Sequence, residues 1–161
     1  VTSLTLVRRI RARPESVFEA VSTPEGLSHW LGPDAGPVLL AETDLRVGGA
    51  FRVRFRMLDG TEHEAFGAYL EVDPPRRLAM SWRWVSEDRG VSEDRGVSED
   101  QGAGDDPETL IEIDLRAIPE GTELTFTHAL LPDEETRASH EAGWNGSFDK
   151  LERYFLQSGG A

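Results

Sequence analysis

The sequence contains no cysteine, which removes disulfides, thiolate metal sites and cysteine nucleophiles from consideration. It has one lysine, Lys150, against sixteen arginines, a bias that reads as codon usage in a GC-rich genome rather than as chemistry. No stretch approaches the ~18 consecutive apolar residues of a membrane-spanning helix. The opening VTSLTLVRRIRARP places its charges after its apolar residues and shows no cleavage site. It does not read as a signal peptide, so a cytoplasmic protein is the expectation. A G-x-S-x-G elbow and a glycine-rich phosphate loop are both missing. Basic charge is in deficit as well: 30 acidic residues face 17 basic ones, a net charge of −13. Residues 86–106 carry −6 of that and the rest of the chain −7. A phosphate backbone would be repelled, so no nucleic-acid partner is expected.

What the chain does have is length for one core and a clear order of elements. At 161 residues it reads as a single domain able to bury ~70% of its unfolded surface. Ser3–Arg11 reads as a strand. Pro14 opens a helix with Val17, Phe18 and Val21 inward, and Thr23-Pro24 caps and starts a second short one that carries Leu27, Trp30 and Leu31. Strands then follow one another. Gly49–Leu58 is the clearest: Phe51, Val53, Phe55 and Met57 alternate with Arg52, Arg54 and Arg56, which predicts one buried face and one solvated arginine face. The remaining strands are Val38–Thr43, Glu62–Val72 (inward set Phe66, Ala68, Leu70, Val72), Arg77–Val85 (Leu78, Met80, Trp82, Trp84), Glu108–Ile118 (Thr109, Ile111, Ile113, Leu115) and Thr122–Leu130 (Leu124, Phe126, His128). From Pro132 to Gln157 the period becomes helical, with Trp144, Phe148, Leu151 and Phe155 on one face. Six strands in succession predict an antiparallel meander, and its apolar face requires the last helix as a cover.

The residues that carry chemistry are few. Trp30, Trp82, Trp84 and Trp144 come from three elements and all project inward on this reading. They are ordinary core, or the wall of a cavity for a flat or greasy ligand. Phe55 and Phe148 join that wall. His128 ends the inward face of the last strand, and His140 lies one helical turn before Trp144; the two read either as polar anchors in an apolar pocket or as histidines satisfied locally. His29 and His63 stand among polar residues and read as surface or rim. No ligand spacing for a metal is present, no cofactor is indicated, and no catalytic set is legible.

Four segments carry a resemblance. ARPESVFEAVSTPEGLSHWLGP (12–33), DLRVGGAFR (44–52), GAYLEVDPPRRLAMSW (67–82) and HEAGW with its following helix (140–155) are similar, in order, to the START-like (SRPBCC) superfamily, in the branch named after the activator of Hsp90 ATPase. The resemblance implies an α+β helix-grip fold: a curved antiparallel sheet of six to seven strands around a long C-terminal helix, two short helices after the first strand, and an enclosed cavity. Within such a fold the expected function is binding of a small hydrophobic or amphipathic molecule, with the inward-reading Trp30, Phe55, Trp82, Trp84, His128, His140, Trp144 and Phe148 as the expected contacts. Two other activities are represented among such proteins: cyclase- or hydrolase-like catalysis on an aromatic or polyketide-like substrate, and chaperone-cofactor-like protein binding, the latter with a stress-response setting. Charged outer faces speak against a large protein interface but leave room for a homodimer.

One feature departs from the resemblance. Val85–Gly102 reads VSEDRG VSEDRG VSEDQG, a hexamer written three times. It lies within a low-complexity insertion, 85–107, in the expected single domain 1–161, at a strand-to-strand connection where a doubling of loop length costs only ~0.6 kcal/mol. Calcium loops need acids at alternate positions with a glycine turn, whereas here the Glu-Asp pairs are adjacent and interleaved with Arg89 and Arg95. The expectation is a solvated mobile loop without a metal.

Overall fold

The computed structural model describes residues 2–32, 37–85 and 108–157. Residues 86–107, which hold all of the hexamer repeat but Val85 and nearly all of the expected insertion, lie outside the described residues.

Seven strands form one curved antiparallel sheet: β1 (Thr2–Ile10), β2 (Val38–Thr43), β3 (Ala50–Arg56), β4 (Glu62–Asp73), β5 (Arg77–Trp84), β6 (Thr109–Ile118) and β7 (Gly121–Leu131). Their spatial order is β1-β7-β6-β5-β4-β3-β2, the expected six-strand meander with β1 added beside β7. Two short helices, α1 (Pro14–Ser22) and α2 (Pro24–Leu27), follow β1, and the long helix α3 (Glu134–Gln157) closes the chain. This is the helix-grip α+β architecture.

Local sequence explains the helix starts. Pro14 occupies the first turn of α1, where its missing N–H costs nothing. The Thr23 hydroxyl accepts the Gly26 N–H at 3.0 Å and caps α2. Asp133 accepts the Thr136 N–H at 2.8 Å at the start of α3. Beyond α2 the chain turns inward. Trp30 and Leu31 are buried, and the Trp30 indole donates to the Ala20 carbonyl at 2.9 Å, tying α2 back to α1.

The core lies between the sheet's concave face and the helices. On β3 the expected alternation holds: Phe51, Val53 and Phe55 are buried, while Arg52, Arg54 and Arg56 face outward to Glu42, Glu64 and Glu62. On β4 the expected face is reversed. Ala65 and Tyr69 are the buried residues and Leu70 is exposed. Pairing explains it: Ala65 lies opposite Trp84 and Tyr69 opposite Met80, and an irregularity between Tyr69 and Glu71 flips the later residues, returning Val72 to the core. An apolar residue at every second position did not identify the buried face, because the opposite set contains a tyrosine, an alanine and a glycine. Gly67 is required there: a Cβ would collide with the Ser81 carbonyl and press on the Phe51 ring.

Candidate functional site

β5 carries two tryptophans of the same parity, with β4 beside it and β3 beyond β4. Opposite them, α3 repeats at helical spacing through His140, Gly143, Trp144 and Ser147. Between these surfaces is a cavity of about 490 Å³, open to solvent. Phe55, His63, Trp82 and Trp84 form its sheet side. Ser139, His140, Gly143, Trp144 and Ser147 form its helix side, and Leu31, Gly32, Met57 and Val85 complete the wall. Gly32 has φ +99° and packs its backbone over the Phe55 ring.

The indoles meet edge to face. Trp82 lies 5.4 Å from Trp84 at 84° and 5.3 Å from Trp144 at 63°, centroid to centroid. Such pairs add ~0.5–1.5 kcal/mol beyond area burial. Two hydrogen-bond chains fix their orientation. In the first, the Trp144 indole donates to His128 Nδ1 at 3.1 Å. His128 Nε2 lies 2.7 Å from Thr109 Oγ1, whose hydroxyl donates to the Trp82 carbonyl at 2.8 Å. Because the Thr109 proton is used on that carbonyl, His128 must carry its proton on Nε2 and accept on Nδ1. The imidazole is therefore held neutral. Burial, with His140 nearby as a second cause, pushes its pKa down to about 3. In the second chain, the Trp84 indole donates to His140 Nε2 at 2.9 Å, and His140 Nδ1 donates to the Thr136 carbonyl at 2.9 Å. Both histidines thus act as acceptors for indole N–H groups.

Of the eight residues expected at the site, the cavity wall brings together Phe55, Trp82, Trp84, His140 and Trp144. Trp30, His128 and Phe148 lie outside that wall. Trp30 borders a separate void of about 30 Å³ and stacks on Phe148, with centroids 5.3 Å apart. Phe148 and His128 are fully buried behind the wall. Wall residues that the sequence reading missed include His63, Ser139, Gly143 and Ser147. The two serines and Gly143 were accessible from the helical spacing of His140 and Trp144. His63 was hidden by the face assigned to β4. Among the described residues no three His, Asp or Glu side chains stand close enough together to hold a metal ion. No helix there is long and apolar enough to cross a membrane.

Comparison with known proteins agrees with the architecture. The family model described as Activator of Hsp90 ATPase homolog 1-like protein matches residues 11–156. Among solved structures, the AHSA1 protein of Silicibacter pomeroyi superposes with a TM-score of 0.78 at 24% identity, covering 97% of this chain and 99% of that one. A protein from Chromobacterium violaceum gives 0.76 at 27%, covering 94% and 95%. An AHSA1-like protein from Aeromonas hydrophila gives 0.73 at 22%, covering 99% and 95%. No curated protein matches the chain.

Proposed function

We propose that this chain, which belongs to the activator of Hsp90 ATPase homolog 1-like family, binds a small apolar or amphipathic molecule in the space between β5 and α3. The observation that carries the reading is the 490 Å³ cavity walled by Trp82, Trp84, Trp144 and Phe55. That volume lies within the range of small-molecule sites, which are concave, mostly apolar and furnished with a few polar groups. Burying ~300 Å² of ligand surface at ~25 cal/mol per Å² gives several kcal/mol before ordering costs, so micromolar affinity needs no charged anchor.

Holding is favoured over reacting by the state of the two histidines. A general base needs a free lone pair. Here the acceptor nitrogens of His128 and His140 are already occupied by the indoles of Trp144 and Trp84. No carboxylate belongs to the described wall. A titration with the neutral fluorophore N-phenyl-1-naphthylamine tests the reading. Saturable one-to-one enhancement at micromolar concentrations, with a change in tryptophan emission, is the expected result. No binding below millimolar would move the protein-docking alternative ahead.

A further inference from the structure

The wall also constrains the chemistry of what it holds. None of the described lining residues is Arg, Lys, Asp or Glu. The nearby arginines are turned away: Arg54 and Arg56 pair with Glu64 and Glu62, and Arg83, between the two wall tryptophans, pairs with Glu108. An anionic ligand would enter a tryptophan-lined space with no counter-ion. It would in addition approach a chain of net charge −13.

The wall is nevertheless not purely apolar, because it leaves a hydroxyl unused. Among the described residues six polar ones are buried: Ser22, Ser81, Thr109, Thr122, His128 and Ser147. Five have partners. Ser22 donates to the Phe18 carbonyl at 2.7 Å, Thr122 donates to the Ala12 carbonyl at 2.7 Å, and Ser81 accepts the Ala68 N–H at 3.0 Å. Thr109 and His128 share the network above. Ser147 is the exception. It is 2% exposed, it lines the cavity, and its hydroxyl forms no hydrogen bond among the described residues while not being sealed off from the cavity. A helical serine ordinarily bonds back to the carbonyl four residues earlier, as Ser22 does. Trp82, in the same wall, is a different case: its indole nitrogen is itself fully buried and has no acceptor among the described residues. Buried donors are rarely left unmatched, and each such group calls for an explanation.

We infer that the cavity takes an uncharged, flat molecule bearing one oxygen acceptor, which receives the Ser147 O–H while the apolar body lies against Trp82, Trp84 and Trp144. This rests on the binding reading above. The ligand class is accordingly a neutral aromatic ketone, ester or amide rather than a carboxylate. Any group that displaces water from Ser147 must reproduce the lost hydrogen bond.

Four probes with one 2-naphthyl body separate the possibilities: 2-acetylnaphthalene, 2-isopropylnaphthalene, 2-naphthoate and N,N,N-trimethyl-2-naphthylammonium. Each is titrated calorimetrically into the full chain at neutral pH, with the Trp82 indole proton followed by NMR and assigned through Trp82→Phe. The ketone should bind about tenfold more tightly than the hydrocarbon, the worth of one hydrogen bond. The carboxylate should bind weakest. Ser147→Ala should abolish the ketone's advantage and leave hydrocarbon affinity unchanged. If no probe binds, the cavity reading fails and the inference with it. If the hydrocarbon equals the ketone, if an ion binds tightest, or if Ser147→Ala weakens all probes alike, the cavity still binds and only the assignment of the oxygen to Ser147 is overturned.

Discussion

His128 sits where the strand stripe of β7 meets the helix stripe of α3, and both of its nitrogens are engaged. Its protonation is suppressed in the fold down to about 3, whereas in the unfolded chain it takes a proton near ~6.5. Between those values the unfolded state binds more protons than the folded one. Stability therefore rises with pH across this window, and it is lost as pH falls below ~6.5 at a slope approaching ~1.4 kcal/mol per unit. Comparing wild type with His128→Gln, which does not titrate, isolates this contribution from that of the carboxylates. Denaturant unfolding from pH 7 to 4.5 should show wild type losing stability relative to the variant; parallel curves would mean the imidazole is not held neutral. His140 differs in consequence, since it is part-buried and its task is to hold Trp84. His140→Ala should cost about 1 kcal/mol in stability, yet weaken probe binding several-fold because the Trp84 ring loses its tether. Unchanged affinity would place Trp84 outside the binding surface.

At the scale of elements, β3 and β4 show both how far periodicity carries and where it stops. The alternation from Phe51 to Arg56 specifies its own face, because arginine and phenylalanine have opposite demands. The outer row is a set of cross-strand ion pairs, with Arg54 directly opposite Glu64. Arg54→Glu places two like charges there and should cost at most ~1 kcal/mol by thermal or chemical unfolding, the scale of surface pairs. Loss of folding would mean that this face is not the solvated one. In β4 no such opposition exists: Phe66 and Leu70 compete with Ala65 and Tyr69, and cross-strand registry with β5 decides. That registry rests on an irregularity after Tyr69 and on a close backbone pass at Gly67, neither of which leaves a periodic trace. Gly67→Ala, mild by composition, should therefore cost more than ~2 kcal/mol. A change below ~0.5 kcal/mol would show that β4 and β5 can move apart.

For the whole molecule, the meander from β2 to β7 was legible because strands consecutive in sequence are neighbours in the sheet, even across the 85–107 insertion. The place of β1 beside β7 was not, since Thr2–Ile10 pairs with a strand more than a hundred residues later. The site was legible in its aromatic part, where Trp82, Trp84 and Trp144 follow simple periods. The boundary between wall and filled core was not, because it depends on three-dimensional packing: Trp30 and Phe148 satisfy the same pattern and stack on each other instead. Trp144 belongs to both regions, contacting Phe126 at 4.6 Å, bonding to His128 and lining the cavity. Trp144→Ala should destabilise the fold by ~3–5 kcal/mol and weaken probe binding together, so it cannot by itself locate the site. Gly143 can. It lies on the helix side of the cavity and is not a core side chain, and replacing a helical glycine favours the helix by up to ~1 kcal/mol. The most direct measurement is the N-phenyl-1-naphthylamine titration of wild type beside Gly143→Leu, with melting temperatures recorded for both. A space between β5 and α3 that binds ligand predicts micromolar saturation in wild type and its loss in a variant that melts no lower. Equal binding by the two proteins, with the variant folded, would contradict it.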